Sequence, residues 1–126
     1  MKWQTKSNQF SITRSEFHRV KVVDAIKIDS EKKAITYLKI ENCIEYIQKS
    51  LDFFYYREIL FSEELDILVV GIDNDLKSRN SFLCKKDNRR YYGNAMVIKV
   101  PKSGNLQKLK NTKLDLDIVK SNIVFD

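Results

Sequence analysis

Short runs of branched and aromatic residues, each followed by polar turn residues, recur along this chain and limit its fold more than any other feature. Such runs form strands when the residues between them favour turns. The predicted strands cover residues 10–17, 20–28, 34–40, 53–61, 66–72, 80–85, 91–100 and 123–125. Residues 66–72 are the most continuously apolar, so we expect this strand to be the most buried.

One segment has helical periodicity instead. Asn42 is followed three residues later by Glu45, which resembles a capping box in which the Asn side chain accepts a hydrogen bond from a backbone N–H of the first turn. The apolar side chains of the segment fall on one helical face: Ile44, Ile47 and Leu51. The main helix is therefore predicted over about residues 42–52.

These elements predict an α+β domain, with a mostly antiparallel sheet of about six strands and the one main helix packed on one face. A short helical turn is also expected within residues 112–119, where the carboxylates of Asp115 and Asp117 suit a helix start. The chain has 126 residues, which fits a single domain over residues 1–126. Residues 1–9 are expected to form a flexible or edge segment.

The beginning of the chain and its cysteines suggest a compartment. Residues 1–6 lack the apolar stretch of a signal peptide, and the longest apolar runs, such as 67–70, are too short to cross a bilayer. Cys43 and Cys84 have apolar neighbours and are predicted to be buried free thiols. We therefore expect a protein of a reducing cytoplasm that does not enter a membrane.

Few residues in this sequence suit catalysis. His18 is the sole histidine and would have to serve any nucleophile pair, while Asp73 and Asp75 form a D-x-D at a strand end. Leu76 and Lys77 follow where a calcium loop needs oxygen ligands, which favours a turn role for the two aspartates. With three scattered glycines, the chain also lacks a phosphate-binding glycine loop. We therefore predict no cofactor, no metal and no enzymatic activity.

Residues 85–94 combine cations with aromatic rings. The net charge of +6 is a mild excess that favours acidic partners, and most of this segment's cations would gather at a hairpin tip. Cations can neutralise phosphate and a tyrosine ring can stack on a base. The predicted binding residues are Lys85, Lys86, Arg89, Arg90, Tyr91 and Tyr92. The alternative is a solvated hairpin tip with one of the two tyrosines in the core.

A second aromatic run occupies residues 53–56. In a strand with one wet face these four rings cannot all be buried. They either pack under the helix or form part of an exposed apolar patch that is used for self-association.

Several segments resemble a small uncharacterised domain family of bacteriophages, plasmids and other bacterial mobile elements. The segments that carry the resemblance are VVDAIKID at 22–29, the helix at 42–51, ILVVGIDND at 67–75, YGNAMVI at 92–98 and IVF at 123–125. Leu76 departs from the family pattern, in which a glycine near Asp75 is expected. The resemblance implies a genomic context, but it implies no activity, and no functional residue is carried over from it.

Two functions follow from these features. The first is a non-enzymatic binding protein, encoded by a phage or mobile element, that binds a host protein or other macromolecule of the bacterial cell, or an anionic ligand such as a nucleotide, for example as a counter-defence inhibitor. The alternative is a nucleic-acid-binding accessory protein that uses the basic and aromatic hairpin at 85–94. A third hypothesis, an enzyme built on Asp73, Asp75 or His18, would require a bound metal or measurable turnover.

Overall fold

The computed structural model of the protein describes residues 21–126, and the elements are numbered from residue 21. Within these residues the chain forms eight strands, two α-helices and one 3₁₀ helix. In chain order they are β1 (Val22–Asp29), β2 (Ala34–Glu41), α1 (Ile44–Leu51), β3 (Tyr56–Leu60), β4 (Asp66–Gly71), the 3₁₀ helix (Asn74–Ser78), β5 (Ser81–Cys84), β6 (Arg89–Tyr92), β7 (Ala95–Lys99), α2 (Leu116–Asn122) and β8 (Ile123–Phe125).

Five strands form the main sheet in the order β2-β1-β7-β4-β3, and every neighbouring pair is antiparallel. The β1–β2 hairpin closes because Asp29 Oδ1 accepts hydrogen bonds from the backbone N–H groups of Glu31 and Lys32, at 3.1 and 3.0 Å. Lys33 then adopts a left-handed φ of 54°. A carboxylate that folds back on its own turn in this way stabilises the chain reversal.

Three further strands form a second antiparallel sheet in the order β6-β5-β8. The β5–β6 hairpin turns at Asn88, whose φ of 58° is one that asparagine tolerates well. Phe125 of β8 pairs with Phe82 of β5, so the last strand completes this sheet from the side opposite β6.

The main sheet carries a hydrophobic core on each face, because side chains alternate along its strands. On one face Ile26, Leu68 and Val97 pack against the second sheet and α2. On the other face Val69 and Met96 pack against the buried side of α1. The helix supplies Ile44, Ile47 and Leu51, which are the residues that its periodicity predicted.

The predicted fold class is confirmed: the sheets are antiparallel and α1 lies within the predicted residues 42–52. The predicted Asn42 cap is wrong, because the N-cap residue is Cys43 and no side chain caps this helix. The second helix, α2, is longer than one turn, and the Asp115 carboxylate caps it by accepting a hydrogen bond from Asp117 N–H at 2.9 Å.

Most predicted strands lie within two residues of the observed bounds, but two of them differ more. The run 91–100 is divided at Gly93, whose φ of 86° separates β6 from β7, and these two strands belong to different sheets. Arg89 and Arg90, predicted to lie in a turn, are strand residues. The run 53–61 is a strand only from Tyr56 to Leu60. The predicted strand at 10–17, the segment 1–9 and His18 lie outside the described residues.

No helix within residues 21–126 has both the length and the apolar character that crossing a bilayer requires.

Candidate binding site

The β5–β6 hairpin separates the six predicted binding residues into exposed and buried groups. Lys85 and Lys86 lie in the turn and are exposed, and Lys86 Nζ stands 5.8 Å from the centroid of the Phe61 ring. Arg89 is exposed at the start of β6. The hairpin therefore presents cations at its tip and along the first half of β6.

Arg90 has a partner already. Its Nη1 donates to the carboxylate of Asp126 and, at 3.2 Å, to Ser81 Oγ. Both members of this ion pair remain partly exposed, so solvent weakens the attraction between them. Arg90 is consequently less available to a ligand than Arg89.

Tyr91 is a core residue. It is 5% exposed, its ring centroid lies 6.0 Å from that of Phe82, and its hydroxyl donates to the carboxylate of Asp87. Burial raises the pKa of Tyr91, and the hydrogen bond to Asp87 adds to that rise. The ring is therefore not a surface on which a base could stack. Tyr92 is partly buried and packs against the core under α1.

A cleft of about 470 Å³ opens where β6 faces the end of β4 and the 3₁₀ helix. It contains four cationic side chains and one carboxylate, a net charge of +3. Its lining comprises Arg57, Gly71, Ile72, Asp73, Asn74, Leu76, Lys77, Arg89, Arg90, Tyr91 and Tyr92. Four of the six predicted binding residues thus lie in one concave site, while Lys85 and Lys86 do not line it.

Sheet order brings Arg57 and Lys77 to this cleft from distant parts of the chain. Arg57 pairs with Val70 across β3 and β4, so its side chain points to the same face as Ile59 and reaches the Tyr91 phenol, where it opposes part of the rise in the pKa of Tyr91. Lys77 is exposed on the 3₁₀ helix. Neither residue belongs to a local motif, so the sequence gives no sign that they share a site.

The absence of a side chain at Gly71 allows close packing in the wall of the cleft. A Cβ atom at this position would lie 2.5 Å from Leu76 Cδ1 and 2.8 Å from Phe53 Cβ. Because nothing larger than hydrogen fits there, the 3₁₀ helix can pack directly against the end of β4.

Asp73 acts as a structural acceptor. Its Oδ2 accepts from Phe54 N–H at 2.7 Å and its Oδ1 from Tyr55 N–H at 2.6 Å. Asp75 is exposed on the 3₁₀ helix. From residue 21 onward, His, Cys, Asp and Glu side chains nowhere gather in a group of three or more that could hold a metal ion.

The aromatic run at 53–56 is divided between core and surface. Phe53 is buried and Tyr56 is partly buried, with ring centroids 6.0 Å apart. Phe54 and Tyr55 are 70% and 64% exposed. Two of the four rings therefore pack in the core and two are exposed, while self-association through the exposed pair stays a prediction.

The two cysteines are free, as predicted, but only Cys84 is fully buried, and Cys43 is half-buried. Burial raises the pKa of the Cys84 thiol.

A scan against protein-family models, a search of curated proteins and a search of solved structures each found no match to this chain. The resemblance to a mobile-element family therefore stays a prediction.

Proposed function

We propose that this protein is a non-enzymatic binding protein that holds an anionic ligand, or an acidic surface of a host macromolecule, in the cleft beside β6. The observation that carries the proposal is the net charge of +3 on the cleft lining. A concave site whose walls have one sign of charge concentrates ligands of the opposite sign.

Three of the four cations support this proposal further. None of the ion pairs formed among residues 21–126 involves Arg57, Lys77 or Arg89. A guanidinium that is not already paired can form two parallel hydrogen bonds with a phosphate or a carboxylate. We therefore assign the main contacts to these three side chains and a smaller contribution to Arg90.

The polar groups around the cations suit binding. Both oxygens of the Asp73 carboxylate are engaged by backbone N–H groups, so this residue does not compete strongly for the cleft cations. A tyrosine phenol is protonated near neutral pH, and the raised pKa of Tyr91 favours that state further, which suits a structural hydrogen-bond donor better than a proton acceptor.

The resemblance to mobile-element proteins extends this proposal to its biological role. A protein encoded by a phage or plasmid meets its ligands in the host cell. Occupying an anionic host ligand or an acidic host protein would inhibit whatever defence depends on it, and such inhibition needs no catalytic group.

Nucleic-acid binding is the second candidate. The exposed lysines 85 and 86 lie at the hairpin tip, next to the end of β6 at which Arg89 lines the cleft. A polyanion could thus contact the tip and the cleft together. Because Tyr91 is buried and Tyr92 is partly buried against the core, however, the hairpin by itself lacks a fully exposed ring.

The experiment measures binding of fluorescently labelled inorganic polyphosphate, an anion without bases, by anisotropy at several salt concentrations. We compare the wild type with Lys77→Ala/Arg89→Ala. The control, Lys108→Ala/Lys113→Ala, removes the same charge from exposed positions outside the cleft. The proposal expects the cleft variant to bind clearly more weakly than the control. Equal affinity of the two variants would show that the cleft is not the site.

A further inference from the structure

Two exposed aromatic rings stand beside the cleft and have no role in the core. The ring centroids of Phe54 and Tyr55 are 4.9 Å apart and their planes meet at 86°, an edge-to-face pair. Aromatic side chains this exposed are a common feature of binding surfaces, because covering them removes a large apolar area from water.

Hydrogen bonds fix the backbone of the loop that carries this pair. Besides the two hydrogen bonds to Asp73, the carbonyl of Tyr55 accepts from Ile72 N–H at 2.9 Å, and the carbonyl of Phe54 accepts from Gln48 Nε2 at 2.9 Å. A loop with these four bonds is already ordered before a ligand arrives. A ligand that binds the rings therefore loses little free energy to ordering the loop backbone.

The same hydrogen bonds connect the pair to the cleft. Ile72 and Asp73, which bond to the loop, both line the cleft, and so does Asn74. An aromatic surface and a cationic cleft thus share one wall. A ligand that uses both must carry flat apolar groups and negative charges side by side, and a nucleotide has this composition.

The extent of the site favours a strand over a mononucleotide. All four residues of β6 line the cleft, which corresponds to a length of about 10 Å at roughly 3.3 Å per residue. Neighbouring phosphates are about 3.4 Å apart along the axis of one stacked strand, so more than one phosphate fits along β6. The aromatic pair lies outside the cleft lining, so base and phosphate contacts occupy successive parts of the ligand.

We propose that the ligand is single-stranded nucleic acid, whose phosphates lie along the cleft and whose bases stack on Phe54 and Tyr55. This inference rests on the proposed function and specifies its ligand. A duplex keeps its bases stacked inside and would offer the rings little, whereas an unpaired strand exposes every base.

The experiment separates base contacts from phosphate contacts. Anisotropy is measured with a labelled thymidine dodecamer and with an abasic strand that has the same number of phosphates. The proteins are the wild type, Phe54→Ala/Tyr55→Ala, and Leu60→Ala, a control that truncates an exposed apolar side chain outside the cleft. Circular dichroism and thermal unfolding establish that each variant is folded.

We expect the wild type and Leu60→Ala to bind the thymidine strand more tightly than the abasic strand. The aromatic variant should lose on the order of 10- to 100-fold in affinity for the thymidine strand, because each stacked base contributes substantially to binding. Its affinity for the abasic strand should stay unchanged. A thymidine mononucleotide should bind the wild type far more weakly than the dodecamer does.

Other outcomes overturn one proposal or the other. If both strands bind equally in every protein, and Lys77→Ala/Arg89→Ala still lowers the affinity for polyphosphate, the base contacts are refuted while the proposed function stands. If neither strand nor polyphosphate binds, the proposed function fails as well. Sedimentation velocity examines self-association through the rings: a dimer that Phe54→Ala/Tyr55→Ala abolishes, without any loss of strand binding, would assign the pair to a second copy instead.

Discussion

Tyr91 donates its phenolic hydrogen bond to the carboxylate of Asp87, four residues earlier, across the turn of the β5–β6 hairpin. The other oxygen of that carboxylate, Oδ1, is buried and accepts no hydrogen bond from residues 21–126. The Tyr91 hydroxyl thus provides the main hydrogen bond that replaces those the Asp87 carboxylate would form with water. This bond closes the hairpin that carries Arg89 and Arg90.

Removing that hydroxyl should destabilise the fold. In Tyr91→Phe the Asp87 carboxylate loses its donor, which costs about 1–3 kcal/mol for a buried acceptor. Urea denaturation followed by circular dichroism measures the change. Tyr92→Phe is the control, because its hydroxyl makes no hydrogen bond with residues 21–126, and it should change stability by less than about 0.5 kcal/mol. Equal effects of the two substitutions would mean that the bond to Asp87 contributes nothing.

Alkaline pH should destabilise the protein through its buried phenols. Burial raises the pKa values of Tyr91 and Tyr56 above the ordinary value of 10.0, so the folded state retains these protons after the unfolded state has lost them. The contribution of these two phenols to the free energy of unfolding is fully present below pH 10.0, and it is lost as the pH rises through the folded pKa values. Urea midpoints between about pH 8 and about pH 11 test this. Tyr91→Phe should show a smaller alkaline decline than the wild type, and an identical decline would contradict the assignment.

Ile47→Asp should unfold the domain. Ile47 is completely buried between α1 and the main sheet, and an unpaired carboxylate there has no polar partner. We expect Ile47→Asp to show no cooperative thermal transition. Where a transition persists, the free energy of unfolding should be lower by several kcal/mol. The control is Lys49→Asp at an exposed position of the same helix, which should change stability by less than about 1 kcal/mol. A stable Ile47→Asp protein would show that this face of α1 does not pack on the sheet.

The two arginines of β6 should differ in their effect on anion binding. Arg89 lines the cleft without an ion-pair partner among residues 21–126, whereas Arg90 is paired with Asp126. Arg89→Ala should therefore lower the affinity for polyphosphate more than Arg90→Ala does. With the thymidine dodecamer it should also reduce the slope of log affinity against log salt by about 0.7, the value for one phosphate contact on a single strand. Both variants should remain folded, and the reverse order of effects would exclude Arg89 as the main contact.

Local patterns in the sequence identify those elements that local interactions determine. The apolar face of α1 appears directly in the spacing of Ile44, Ile47 and Leu51. The polar residues after Asp29 mark the β1–β2 turn, because Asp29 bonds to its own turn. In these places the residues that form the element also stabilise it.

Predictions fail where a distant residue decides the conformation. Phe54 and Tyr55 have strand propensity, but their N–H groups bond to Asp73 instead of a neighbouring strand. The run 91–100 is divided at Gly93, whose carbonyl accepts a hydrogen bond from the distant Ser30 hydroxyl. Half of the cleft's cations, Arg57 and Lys77, were missed because only the order of the strands brings them to β6.

The main sheet is shared by two hydrophobic cores, and this arrangement has a consequence for how the protein denatures. Residues of β1, β4 and β7 alternate between the cores, so the loss of either core would expose apolar side chains of the same three strands. Residues 21–126 should therefore melt in one all-or-none step, without a partly structured intermediate. The cationic cleft would then either be fully formed or absent, at every temperature.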